Sequence, residues 1–172
     1  MQRVMILGCG GSGKSTLARA LGERTGLPVV HLDCQFWKPG WVESTREEFD
    51  AKHDAAMSGD RWIIDGNYSR TYERRAAAAD TIILLDLPRL ACVYGILYRW
   101  LANRGHTRPD MPEGCPEKID WEFFKWVWNF RTRSRDKQLT FIDSVRDRKT
   151  VHVLRTRGEV RQWLANLPER RV

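Results

Sequence analysis

Long apolar runs are missing from this sequence. No stretch of about 18 nonpolar residues occurs, and 30% of the 172 residues are charged. A mean hydropathy of −0.53 agrees with this, so no membrane partner is expected. Cysteine is scarce as well: the four, at 9, 34, 92 and 115, share no short spacing. They read as reduced thiols rather than a disulfide framework. The four histidines, at 31, 53, 106 and 152, form no close ligand pairs with them, so no structural metal is expected. Internal repeats and low-complexity tracts are also missing. The apolar opening Val4-Met5-Ile6-Leu7 covers four residues before a glycine loop and lacks a small-residue cleavage site. It does not read as a secretory signal, and a cytoplasmic location is expected.

What is present begins with enough apolar residues, 42%, to bury one core. The length favours a single domain over residues 1–172. Charge is unevenly spread: residues 1–88 carry eleven basic and twelve acidic side chains, net −1, and residues 89–172 carry eighteen and ten, net +8. The second half therefore attracts anions, whether nucleotide phosphates or nucleic acid.

Strand and helix patterns alternate along the chain. Strands are expected at Val4–Leu7, Val29–Leu32, Trp62–Ile64, Thr81–Leu85 and Thr150–Leu154. Helices are expected at Lys14–Thr25, at 44–58 with Ser44 or Thr45 as the cap, at Arg70–Ala79, at Arg89–Asn103, from Asp120 onward, and at Glu159–Leu167. Residues 105–117, with three prolines and two glycines, read as a mobile loop. The expected fold class is a doubly wound five-stranded parallel α/β sheet with helices on both faces, a three-layer sandwich.

Gly8-Cys9-Gly10-Gly11-Ser12-Gly13-Lys14-Ser15 satisfies G-x-x-x-x-G-K-[ST], a pattern met by chance in roughly one chain in a hundred of this length. It lies between a strand and a helix, where backbone N–H groups and the positive helix end converge on a phosphate. Gly8, Gly10, Gly11, Ser12 and Gly13 would form the cradle, with Thr16 following. Lys14 would reach the outer phosphates and the Ser15 hydroxyl would ligate magnesium. The ligands expected are ATP and Mg2+.

Asp33, Asp65 and Asp86 stand at the C-terminal ends of successive strands, the edge where open α/β sheets bind ligands. Asp65 fits a magnesium-holding position beside Ser15. Asp33 is the candidate to contact an acceptor or take its proton, and Asp86 reads as structural. Arg99, Arg104 and Arg108 on one side of the proline-rich loop, and Arg131, Arg133 and Arg135 beyond it, suggest a lid over 104–135 whose arginines stabilise transferring charge. Spacing alone does not select among them; Arg104, Arg131 and Arg135 are taken as the catalytic candidates. The segment Trp121–Phe130 is apolar nearly all round and reads as core or lid packing, ahead of the alternative of stacking on a base or a single strand. Trp37 and Trp41 are placed beside the acceptor.

These residues resemble the adenylate-kinase-like P-loop kinases and, within them, the small DNA topology modulation proteins. The wider likeness rests on Gly8–Thr16, Ile63-Ile64-Asp65-Gly66 and Leu85-Asp86-Leu87-Pro88-Arg89; the narrower rests on His31-Leu32-Asp33 with Trp37 and on Trp62–Arg70. The resemblance implies a kinase core with an acceptor-binding insertion at about 34–60. It also implies acceptor contacts from Arg70 and Arg89, and an adenine-side turn near Arg155 to Arg157. Adenylate kinases usually carry Asp-Gly-Phe-Pro-Arg after the third strand. Here Asp65-Gly66-Asn67-Tyr68-Ser69-Arg70 is one residue longer and lacks the proline, which weakens the case for an AMP acceptor.

The leading reading is a kinase that moves the γ-phosphate of Mg-ATP to a nucleotide or other small-molecule acceptor, acting as a monomer or homodimer. The alternative is a nucleotide-dependent nucleic-acid-binding regulator that affects DNA topology. No recognisable DNA-reading module supports the alternative, and it ranks second.

Overall fold

Apolar residues on both faces of a strand require cover on both sides, and five strands here have them. In the computed structural model, which describes residues 1–168, β1 is Arg3–Gly8 and runs through the loop into α1, Lys14–Thr25. Gly26 closes α1 in the left-handed conformation. β2, Val29–His31, passes directly into a short helix α2, Leu32–Phe36, and a two-stranded antiparallel hairpin, β3 at Trp37–Lys38 and β4 at Val42–Glu43. α3, Arg46–Met57, starts with a capping box between Thr45 and Glu48. β5 is Trp62–Asp65, α4 Tyr72–Ala78, β6 Thr81–Leu85 and α5 Arg89–Ala102. α6, Trp121–Phe130, is capped by Asp120 and joined to α7, Asp136–Val145, through a π-turn at Arg131–Arg135. β7, Thr150–Leu154, and α8, Arg157–Ala165, complete the described chain.

The five-stranded sheet has the order β2-β5-β1-β6-β7, with every pair parallel. β1 lies at the centre, so Met5 sits between Ile64 and Ile82. Side chains alternate across the sheet. Val4, Ile6, Ile63 and Ile83 pack with Leu17 and Leu21 of α1, Ile96 of α5 and Val127 of α6. Met5, Leu7, Ile64 and Ile82 pack on the other face with Phe49, Tyr72 and Ile142 of α3, α4 and α7. Each of these fully covered aliphatic side chains contributes about 1.5–3 kcal/mol of burial. No helix among the described residues is long and apolar enough to cross a membrane.

One expectation needs correction. The second strand ends at His31 instead of Leu32, because Leu32 turns into α2 and buries itself against the sheet. The segment Trp121–Phe130 packs on the core through Val127 and Phe130, with Phe123 and Phe124 against it, while Trp121, Trp126 and Trp128 keep 65%, 41% and 41% of their surface. Residues 105–117 are irregular, as expected, but two bridges, Arg104 with Glu117 and Thr107 with Pro116, draw the ends of this loop together. Its tip is clasped to the hairpin. The Gly40 N–H donates to the Gly114 carbonyl at 2.9 Å, and the Cys115 thiol donates to the Lys38 carbonyl at 3.2 Å.

Candidate functional site

The central strand ends in a glycine loop because the chain must bend there without side chains in the way. Gly11 and Gly13 have φ of 74° and 94°, a backbone conformation that a β-carbon disfavours. Around Gly13 the space is open, with nothing within 4 Å of a built β-carbon. Gly11 is the opposite case: α5 lies so close that its β-carbon would meet the Cys92 carbonyl at 2.2 Å. Lys14 curls along the loop and donates from Nζ to the Cys9 carbonyl at 2.9 Å. The Ser12 hydroxyl is buried without a hydrogen-bond partner. A buried polar atom left unsatisfied inside such a loop suits a ligand oxygen.

The loop forms one wall of a cavity of about 990 Å³. Facing it are Asp33 and Trp37 from α2 and the hairpin, Tyr68 from the turn after β5, and Arg108 and Asp110 from the loop before α6. Phe123, Trp126, Arg157 and Arg161 line the remaining side. The walls are therefore basic and aromatic on the α6 and α8 side, and acidic and aromatic around Asp33.

Asp33 accepts a hydrogen bond from the Tyr68 hydroxyl at 2.8 Å. Burial pushes the Asp33 carboxyl above its ordinary value, although Tyr68 and the charge of Lys14 pull the other way. Asp65 lies deeper, 3% exposed, and its Oδ1 meets Nδ1 of His31 at 2.7 Å. Burial disfavours the charged imidazole, but the hydrogen bond and charge of Asp65 outweigh it, so the His31 pKa is raised. Asp110, 5% exposed, lines the cavity together with Ser15. Burial works against the ionised Asp110, and Arg108 and Ser15 overcome that, holding its carboxyl below the ordinary range.

Arg108 Nη1 donates to Asp110 Oδ2 at 2.8 Å, and its Nε lies 2.5 Å from Glu117 Oε2. The second contact fits a charge pair better than a hydrogen bond, because that N–H is not aligned on an acceptor. Arg99 Nε donates to the other Glu117 oxygen at 2.8 Å. Two arginines and two carboxylates thus neutralise one another in a part-buried chain from Arg99 of α5 to Asp110 on the loop before α6. Asn67 links the loop to β5, its Oδ1 accepting from the Gly8 N–H at 3.3 Å.

Gly10, Gly11, Ser12, Gly13, Lys14, Ser15, Thr16, Asp33 and Trp37 come together on this cavity. Other candidates lie elsewhere. Arg70 forms a surface pair with Asp50. Arg89 stacks over Trp128 at 4.9 Å, and Arg104 over Trp100 at 5.3 Å. Arg135 donates twice to Asp86, at 2.7 and 2.8 Å. Arg131 on the π-turn, Asp65 and exposed Arg155 are not among the lining residues, whereas Arg157 and Arg161 are. Trp41 stands behind Trp37, edge-on at 5.4 Å.

Tyr68 and Asp110 escaped the sequence reading. Tyr68 carried a weak signal, being three residues past a strand-ending aspartate. Asp110 carried another, standing two residues after Arg108 in a stretch too rich in proline to be a helix.

No protein-family model matches the chain, and a search of curated proteins finds no match. Among solved structures, a shikimate kinase from Bacteroides thetaiotaomicron is similar, with TM-score 0.55 and 16% identity, covering 95% of this chain and 94% of that one. A gluconokinase from Sinorhizobium meliloti has TM-score 0.53 and 15% identity, covering 95% of this chain and 90% of that one. At such identities the likeness establishes the fold alone, an α/β fold shared with these two kinases.

Proposed function

We propose that this chain is an ATP- and magnesium-dependent phosphotransferase whose acceptor is a hydroxyl group on a small molecule. One observation carries the reading: the Asp33 carboxylate, held by Tyr68, shares a single cavity with Lys14 and the glycine loop. On this reading a proton acceptor and a phosphate cradle would share one small-molecule volume.

The loop N–H groups and Lys14 would hold the β- and γ-phosphates, with Arg157 and Arg161 on the nucleotide side. Ser15 and a nearby carboxylate offer the hard oxygens magnesium prefers. Among the described residues no three His, Cys, Asp or Glu side chains could cage a metal by themselves, so nucleotide phosphates would complete its shell. The ion, when bound, draws charge from the phosphate oxygens. The acceptor oxygen then forms its bond to the γ-phosphorus while the bond from γ-phosphorus to the bridging oxygen breaks. Asp33 takes the hydroxyl proton, and ADP leaves with the bridging oxygen. Lid arginines would stabilise the charge on the moving group; Arg99 and Arg108, which line the cavity while paired with Glu117 and Asp110, would have to exchange those partners for it, and Arg104, Arg131 and Arg135 do not line the cavity.

A phosphate acceptor is less well supported. Arg70 and Arg89, which the family resemblance assigns to an acceptor phosphate, are engaged away from the cavity, and the carboxylate of Asp33 would repel a dianion. Aromatic Trp37 and Tyr68 suit the apolar face of a polyol-like compound.

The deciding experiment is an acceptor screen for ADP release with the wild-type chain and Lys14→Ala. Hydroxyl compounds should stimulate turnover above basal ATP hydrolysis, and the variant should lose it. Stimulation by nucleoside monophosphates alone would overturn the acceptor class. Full activity of Lys14→Ala would overturn the loop's role.

A further inference from the structure

α5 meets the core through Cys92 and Ile96. Its outer side is unusual in what it lacks. The residues it exposes are Leu90, Tyr94, Leu97, Tyr98, Leu101 and Ala102, with no charge among them, and its two arginines, Arg89 and Arg99, are half-buried. The neighbouring α8 shows the ordinary pattern, exposing Arg157, Glu159 and Arg161. Of the ten large apolar side chains exposed among the described residues, five stand on α5 and three on α6.

We infer that this stripe binds the same stripe of a second copy of the chain, the two α5 helices lying antiparallel about a twofold axis between residues 95 and 96. Spacing is the first reason for choosing this occupant. Leu90, Tyr94, Leu97 and Leu101 follow at intervals of four, three and four, the seam spacing of paired helices. That series reads the same in both directions. A twofold axis at its centre therefore sets Leu90 against Leu101 of the second copy and Tyr94 against Leu97, each contact made twice. In the same register Tyr98 meets Val93 and Arg89 meets Ala102, so no charge faces its like, and the helix dipoles run favourably head to tail.

Area is the second reason. Arg89 stacks over Trp128 at 4.9 Å and joins that ring to the stripe. Leu90, Tyr94, Leu97, Tyr98, Leu101 and Trp128 keep between 41% and 71% of their surface. At the size of such side chains this leaves roughly 600–700 Å² per copy in water. A monomer's largest apolar patch is ordinarily about 300–600 Å², whereas a standard stable interface buries about 800 Å² per partner. Arg157, over Tyr94 at 5.3 Å, and Arg89 put charge at the rim, where an interface tolerates it. The charge-free centre offers nothing to the phosphates of a nucleic acid.

Sedimentation equilibrium of the full chain, at about 1–100 µM, tests this. Wild type should be a dimer with a dissociation constant of about 10 µM or below. Leu97→Glu would bury a charge opposite Tyr94 and should weaken dimerisation about a hundredfold or more. Should that variant fail to fold, Leu101→Glu answers, since its side chain is 66% exposed in the single chain and a charge there is solvated. Register has its own readout. An equal mixture of Leu90→Lys and Leu101→Glu chains should dimerise about tenfold more tightly than either alone, because only the mixed pair sets lysine against glutamate. Wild type that stays monomeric at about 100 µM overturns the inference, and adsorption of that monomer to phospholipid vesicles would then assign the stripe to a membrane surface. A dimer that the glutamate variants do not weaken, or a mixture no tighter than its components, overturns the pairing through α5.

Discussion

A β-carbon on Gly95 would stand 2.1 Å from the carbonyl oxygen of Gly11, so α5 rests directly on the glycine loop with no side chain between them. Glycine inside a helix costs up to about 1 kcal/mol against alanine. The close approach to the loop explains why that cost is carried here.

Gly95→Ala should therefore act against its own helix propensity. The loop backbone must shift to admit the methyl group, and nucleotide affinity should fall about tenfold or more, with a thermal midpoint no higher than wild type. Calorimetric binding of ADP and a melting curve measure both. A stabilised variant with unchanged affinity would mean that the loop tolerates the displacement.

Asp33→Asn should separate the two acceptor classes. With a hydroxyl acceptor the carboxylate is needed in the transition state, and kcat should drop by about 10²–10⁴ with little change in KM. A phosphate acceptor would show mainly a KM effect. The pH profile gives a second readout. Burial raises the Asp33 pKa, and the base must be ionised to act, so kcat/KM should fall as pH drops, with its inflection above the ordinary carboxylate range.

Arg135→Ala should destabilise the fold by about 1–3 kcal/mol, since Asp86 would be left nine-tenths buried without either of its two charged donors. Denaturant melts would measure this. If the role of Arg135 is to hold Asp86, the double variant with Asp86→Ala should recover part of the loss, and residual turnover should track stability.

The pair of His31 and Asp65 gives stability a pH dependence. The folded imidazole has a raised pKa, so its contribution is fully present below its usual value near 6.5 and is lost as pH rises through the folded value. His31→Gln should remove that slope from melting points taken between about pH 5.5 and pH 8.5. An unchanged slope would assign it to other groups.

The parallel sheet was legible because the central strands β1, β5 and β6 are short apolar runs, almost fully buried, with polar residues only at their ends. The glycine loop was legible from its backbone needs. Asp110 and Glu117 were not, because a charged residue in a loop reads as solvated until its partners Arg108 and Arg99 are brought to it by folding. Arg75 makes the same point inside α4. It is fully buried, donating to the Gly66 carbonyl at 2.9 Å and to Thr71 at 3.0 Å, yet it sits in an alanine- and arginine-rich stretch typical of an exposed helix. The hairpin of Trp37–Lys38 and Val42–Glu43 was missed because two-residue strands are too short to show alternation; the turn is marked instead by Gly40 and by Trp41 at φ 63°.

The clasp between Gly40 and Gly114, with Cys115 on the Lys38 carbonyl, has a kinetic side. It ties the wall beside Asp33 to the loop that covers the nucleotide, so on the proposed reading the two compartments share one latch. Both products would then leave on a single clock, set by how often one main-chain and one thiol hydrogen bond let go, and a chain with a weakened latch would turn over faster while spilling more phosphate to water.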